Sequence, residues 1–159
     1  GNLFHLFVNM FALFSLGGFC ERIIGARRFL WFYIIAGIFA GLLSVVLSSL
    51  FGYGIWARVF GSPTSAMVGA SGAIFGIAGL FVILLPRVKF TFIFLPFFSL
   101  PAYIMVPVIL FITWLATIAA NLPVGNVAHL GGFLAGLAYG LYLRVKYRHK
   151  VKMLDQYFR

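Results

Sequence analysis

A chain of 159 residues that is 64% hydrophobic and only 9% charged, yet carries a net charge of +10, cannot cover a water-facing surface; soluble domains hold roughly 25% charged residues. Its mean hydropathy of +1.11 makes lipid part of its solvent, and the shortage of polar sequence excludes disorder. A nucleic-acid role, the rival reading of a basic chain, fits poorly, because a groove binder needs a solvated basic face.

Five stretches approach the roughly 20 mostly apolar residues that a membrane-spanning helix requires. The first runs from Leu3 to Cys20 and is closed by Glu21-Arg22 and then Arg27-Arg28. The second runs from Phe29 to about Phe51, and a Gly-rich loop with Trp56, Arg58 and Pro63 follows. The third spans about Ser65 to Leu85, stopped by Pro86-Arg87. The stretch Phe90 to Pro101 is apolar but holds Pro96 and Pro101, so it reads as an interfacial or extended connector. The fourth span covers about Ala102 to Ala120 and the fifth Val127 to about Val145, which runs into a basic tail. The sequence therefore predicts one all-α polytopic membrane domain over residues 1–145, with a basic tail over 146–159. It opens on Gly1 rather than Met, which reads as a trimmed chain or a fragment, and no basic n-region marks a cleavable signal peptide. The single cysteine, Cys20, allows neither an intrachain disulfide nor a cysteine metal cluster.

Basic residues orient the spans. If the chain starts outside, then Arg22, Arg27, Arg28, Arg87, Lys89 and the six basic residues from Arg144 to Arg159 are cytoplasmic, eleven in all, with Arg58 alone outside. The tail then touches anionic lipid, or serves only as a topology signal. Glycines recur at four-residue spacing as Gly37 and Gly41, Gly72 and Gly76, and Gly132, Gly136 and Gly140. Helices in lipid gain from close backbone approach, so the third and fifth spans are expected to pack tightly against each other.

Polar groups in lipid are costly and mark function. Here they are His5, Asn9, Ser71 and His129. Taken alone, each has a structural reading: Ser71 as a packing residue in a glycine-rich span, His129 as a structural hydrogen bonder, His5 and Asn9 as glue between helices. Taken together they share one depth. Ser71 lies about 9 Å below the outer end of its span at 1.5 Å per residue, His129 near the outer end of the fifth, and His5 and Asn9 on one face of the first. A hydroxyl near an imidazole is the minimum for nucleophilic catalysis, and His5, Asn9 and a backbone N–H near Ser71 are donors for an oxyanion. The only acids, Glu21 and Asp155, fall on the cytoplasmic side, so a serine mechanism has to run on a Ser-His dyad. The same shortage excludes an aspartyl intramembrane protease. His5 is followed by Leu6, so the zinc motif H-E-x-x-H is absent, and Ala73 breaks the G-x-S-x-G elbow of soluble hydrolases.

At this point the chain resembles the rhomboid family of intramembrane serine proteases. It carries G-x-S-G as Gly69-Ala70-Ser71-Gly72, A-H-x-x-G as Ala128-His129-Leu130-Gly131-Gly132, H-x-x-x-N from His5 to Asn9, and G-x-x-x-E-x-x-x-G at Gly17, Glu21 and Gly25. The resemblance implies Ser71 as nucleophile, His129 as general base, and His5, Asn9, Gly69 and the Ser71 amide as the oxyanion site. It also implies Phe75 as an aromatic ring against the imidazole, with lipid or core packing as the plain alternative. Glu21 and Gly132 are implied to be structural. The family core has six helices, and this chain is expected to supply five, starting from the second. The implied function is hydrolysis of peptide bonds in or beside transmembrane helices of other membrane proteins, with no metal or cofactor; no motif sets an oligomeric state. The alternatives are a non-catalytic rhomboid-like protein that binds membrane clients and, more distantly, a transporter or channel. The expected location is the plasma membrane of a prokaryote, with the site toward the outer side and the tail cytoplasmic.

Overall fold

A computed structural model of the chain describes residues 3–65, 70–92, 95–120 and 125–157. The opening apolar run forms one rod, α1 (Leu3–Ile24), with a π-helical stretch at Leu13–Gly17. It stops at Gly25, whose φ of +87° a side-chain-bearing residue rarely adopts. The chain reverses there into α2 (Ala26–Phe51). The expected Gly-rich loop instead contains a 3-10 turn, Gly54–Trp56, and a short helix α3 (Ala57–Phe60).

The third span begins later than its hydropathy suggests. Helix α4 is Ser71–Leu84, 14 residues, and residues 66–69 lie outside the described chain. At 1.5 Å per residue α4 is about 21 Å long, against a hydrocarbon core of about 30 Å. The helix is thus shorter than such a core is thick, and Ser71 is its first residue. After Pro86 come strands β1 (Lys89–Phe92) and β2 (Leu95–Pro101), paired antiparallel with Lys89 opposite Pro101. The expected extended connector is thus a hairpin, which satisfies backbone groups that Pro96 and Pro101 keep out of a helix. Helix α5 (Ala102–Ala120) and helix α6 (Asn126–Lys146) complete the bundle.

Among the described residues, α1, α2 and α5 are long and apolar enough to cross a membrane. Their apolar side chains, such as Leu42, Val46, Phe111 and Leu115, are exposed, as a lipid-facing surface requires. Helix α4 is the opposite case. It is buried along most of its length, and Ile77, Leu80, Phe81 and Leu84 form the centre of the core with Cys20, Phe32 and Ala36. It owes that position to the expected packing of the third and fifth spans, for among the described residues α4 and α6 make the most extensive helix contact, followed by α2 with α6. A Cβ on Gly136 would strike the Gly76 carbonyl oxygen, and one on Gly79 would strike that of Phe133. A Cβ on Gly37 would make only an ordinary contact with the Ala73 methyl of α4, and one on Gly41 would face open space.

Two tertiary ties were not visible in the sequence. Trp114 of α5 donates from Nε1 to the Val59 carbonyl at 3.1 Å, fastening α3 to the bundle. Trp114→Phe keeps the ring and removes that bond, so it should cost about 1 kcal/mol in a reversible unfolding experiment in detergent. The basic tail is also not a loose segment. It folds as α7 (Arg148–Tyr157), buries Val151 against the core, and pairs Asp155 with Arg87 at 3.6 Å.

Candidate active site

The serine and the histidine meet because their helices do. Gly72 follows Ser71, and a Cβ there would lie 3.3 Å from the Ala128 carbonyl oxygen, one residue before His129. One turn further along α6, a Cβ on Gly132 would run into the Gly72 carbonyl. Only glycines allow α4 and α6 to approach so closely at this level. As a result, Ser71 at the start of α4 and His129 in the first turn of α6 are 2.9 Å apart, Oγ to Nε2.

The contact suits proton transfer in the tautomer that leaves Nε2 free to accept from the serine hydroxyl and carries the proton on Nδ1. That atom is buried and has no hydrogen-bond partner among the described residues. Orientation comes instead from packing, since the Phe75 ring, one turn after Ser71, stacks on the imidazole with centroids 4.5 Å apart and planes inclined by 29°. His129 is 9% exposed and Ser71 half-buried. A hydroxyl delivered to the unprotonated nitrogen of a buried imidazole is an arrangement suited to proton abstraction and attack on a carbonyl.

The remaining sequence candidates are placed less uniformly. His5 and Asn9 are together on α1, whose first half touches α4. The Asn9 amide nitrogen donates to the His5 carbonyl at 2.8 Å and to His5 Nε2 at 3.1 Å. Its amide hydrogens are thus engaged within its own turn. Gly69 lies outside the described residues. Glu21 is exposed near the end of α1, where its carbonyl accepts the Gly25 N–H at 2.7 Å. Asn126 was missed in the sequence. It opens α6 three residues before His129, is 4% exposed, and its Oδ1 has no hydrogen-bond partner among the described residues. The signal was an amide on the same helix face as the histidine.

The motifs, the helical bundle and the glycine-lined contact point the same way as the comparisons. The chain belongs to the rhomboid family, for the family model described as Rhomboid domain matches residues 1–146. Rhomboid protein 1, mitochondrial, of Saccharomyces cerevisiae is 34% identical over 142 residues, which is 87% of this chain and 38% of the yeast protein. The human Presenilin-associated rhomboid-like protein, mitochondrial, is 28% identical over 141 residues, 89% of this chain and 35% of its own length. The RHOMBOID-like protein 4 of Arabidopsis thaliana is 31% identical over 152 residues, 92% of this chain and 32% of its own. The chain therefore spans about a third of the length of the curated relatives it matches. No solved structure gives a significant match.

The relatives overturn one expectation. The plasma membrane of a prokaryote is not supported, because the yeast and human relatives are mitochondrial by name. The physical reason is plain: the basic residues establish that one face is charged and the other is not, and this asymmetry is the same in any bilayer whose two sides differ.

Proposed function

We propose that this chain is the catalytic membrane core of an intramembrane serine endopeptidase that cuts transmembrane segments of other membrane proteins. The observation that carries the reading is the 2.9 Å contact between Ser71 Oγ and His129 Nε2. His129 takes the hydroxyl proton as Oγ bonds to the substrate carbonyl carbon. The oxyanion is received by the Ser71 amide with His5 and Asn9, and Gly69 allows the close approach. His129 then gives its proton to the leaving amine as the C–N bond breaks. A water molecule, deprotonated by the same ring, hydrolyses the acyl-enzyme. Phe75 holds the imidazole in register, Gly132 sets the helix spacing, and Glu21 is structural. These steps call on protein groups and water, with no metal or cofactor. Residues 1–145 form the core, and 146–159 form a basic appendage.

The short α4 supports a membrane-embedded reaction, because it starts at Ser71 and leaves the layer above it to be reached by water. Substrate enters from lipid as a helix that unwinds near the cut, so helix-weakening residues there should speed cleavage. Loss of one aromatic contact is worth about 1 kcal/mol. Phe75→Ala should therefore lower kcat several-fold to about tenfold with little change in KM.

A second reading is a non-catalytic rhomboid-like protein that binds membrane clients. It is favoured by one observation, the engagement of the Asn9 amide hydrogens with His5, since an oxyanion would have to displace them. Proteoliposomes holding the protein and a tagged single-span substrate separate the two. Fragments whose new ends map within or beside the span support the protease. Capture of uncut substrate by an intact protein supports the client binder.

A further inference from the structure

The end of the bundle opposite Ser71 holds a crevice of about 750 Å3 between α2 and α6. Its walls are apolar: Trp31, Phe32, Ile35 and Ala36 on α2 face Ala135 and Tyr139 on α6. Phe32 and Tyr139 stack across it with ring centroids 5.0 Å apart. Its mouth is cationic. Arg27 and Arg28 both line it and both are exposed.

The cations there crowd each other rather than pairing with acids. Arg28 donates to the Tyr147 hydroxyl at 3.0 Å and lies 5.1 Å from the centroid of that ring, while Lys146 lies 5.8 Å from the same centroid. Two positive groups thus share one tyrosine, with Arg27 adjacent. The whole chain has only two acids, Glu21 and Asp155, against twelve basic residues, and Asp155 is paired with Arg87. An apolar crevice with uncompensated cations at its mouth, at the end of a membrane helix, has the layout of a phospholipid turned lengthwise. The acyl part is apolar and the headgroup is anionic.

We propose that this crevice is a binding site for one anionic phospholipid. Its phosphate is held by Arg27 and Arg28 with Lys146 nearby, and an acyl chain lies along Trp31, Ile35 and Ala135. The site is at the far end of the bundle from the serine and histidine, so it stands whether or not the chain is a protease. Bound lipid would hold α2 against α6, the helix that carries His129.

Trp31 makes the test direct, because it lines the crevice and the chain has only three tryptophans. With Trp56 and Trp114 changed to Phe, Trp31 fluorescence is followed in phosphatidylcholine bilayers containing rising fractions of brominated phosphatidylglycerol or brominated phosphatidylcholine. Half-maximal quenching should need about tenfold less of the anionic lipid. Arg27→Gln should bring the two lipids to within about twofold, and Arg27→Gln with Arg28→Gln should remove the difference. Lys150→Gln with Lys152→Gln, on α7, should leave it intact. Ala135→Phe, which fills the crevice and keeps every charge, should also abolish it. Equal quenching by both lipids would overturn the proposal, as would a preference unchanged in Arg27→Gln. So would relief of the quenching by inorganic phosphate, which would make the site one for a free anion.

Discussion

Ser71→Ala should abolish cleavage of a transmembrane substrate, with a loss of at least about a thousandfold, and His129→Ala should do the same. In an enzyme whose nucleophile and base act as one unit, removing either costs nearly as much as removing both. The double variant should therefore be no worse than either single one. The prediction rests on the surroundings of the imidazole. Its Nε2 faces the serine at 2.9 Å, and its Nδ1 has no partner among the described residues. A cavity left by alanine at the half-buried Ser71 is small, so thermal unfolding of Ser71→Ala should stay close to wild type. A variant that keeps its fold and loses all cleavage separates a chemical role from a packing one. Additive losses in the double variant would instead mean that the two side chains act independently.

Gly132→Ala should be the most damaging methyl group added at any of the described glycines. A Cβ there would collide with the Gly72 carbonyl oxygen, which is backbone and cannot turn aside. Overpacking of a tight core costs on the order of 3 kcal/mol, and here relief requires α4 and α6 to separate. That separation would also draw His129 from Ser71, so activity should fall further than stability explains. Gly18→Ala is the control. It is helical, and an added Cβ there meets nothing within 4 Å. It should be neutral, or stabilising by about 0.5–1 kcal/mol, because alanine has the better helix propensity. Reversible unfolding in mixed detergent measures both, and equal effects at the two positions would remove the glycine contact from the account.

The parts of the fold legible in the sequence were those set by strong, local patterns. Apolar runs bounded by basic clusters or by Pro86 gave the helices, and the four-residue glycine spacing gave the α4–α6 contact. The start of α4 was not legible in the hydropathy, because Ser65 to Ala70 is as apolar and small as the helix that follows. Hydropathy registers lipid compatibility, and it is blind to where backbone hydrogen bonds begin. The hairpin was read only as extended, since Pro96 excludes helix without specifying a strand partner. Helix α7 was read as a tail because Val151 and Leu154 are too few to signal burial until the bundle above them exists.

At the site, the pairing of Ser71 with His129 followed from placing two polar residues at one depth. The stack of Phe75 on the imidazole came through the resemblance, and its geometry agrees. The internal bond between Asn9 and His5 was hidden, although their four-residue spacing permits it. Asn126 was hidden for another reason. It falls at a helix start, where asparagine is ordinary, and only its burial beside the histidine makes it unusual.

The most direct test of the central claim is covalent. Purified protein in detergent is treated with a fluorophosphonate, and the adduct is located by mass spectrometry. An activated serine predicts one adduct, on Ser71, in wild type, and none in Ser71→Ala or His129→Ala. A wild-type protein that stays unmodified, or an adduct that persists without His129, would contradict a Ser71–His129 nucleophile.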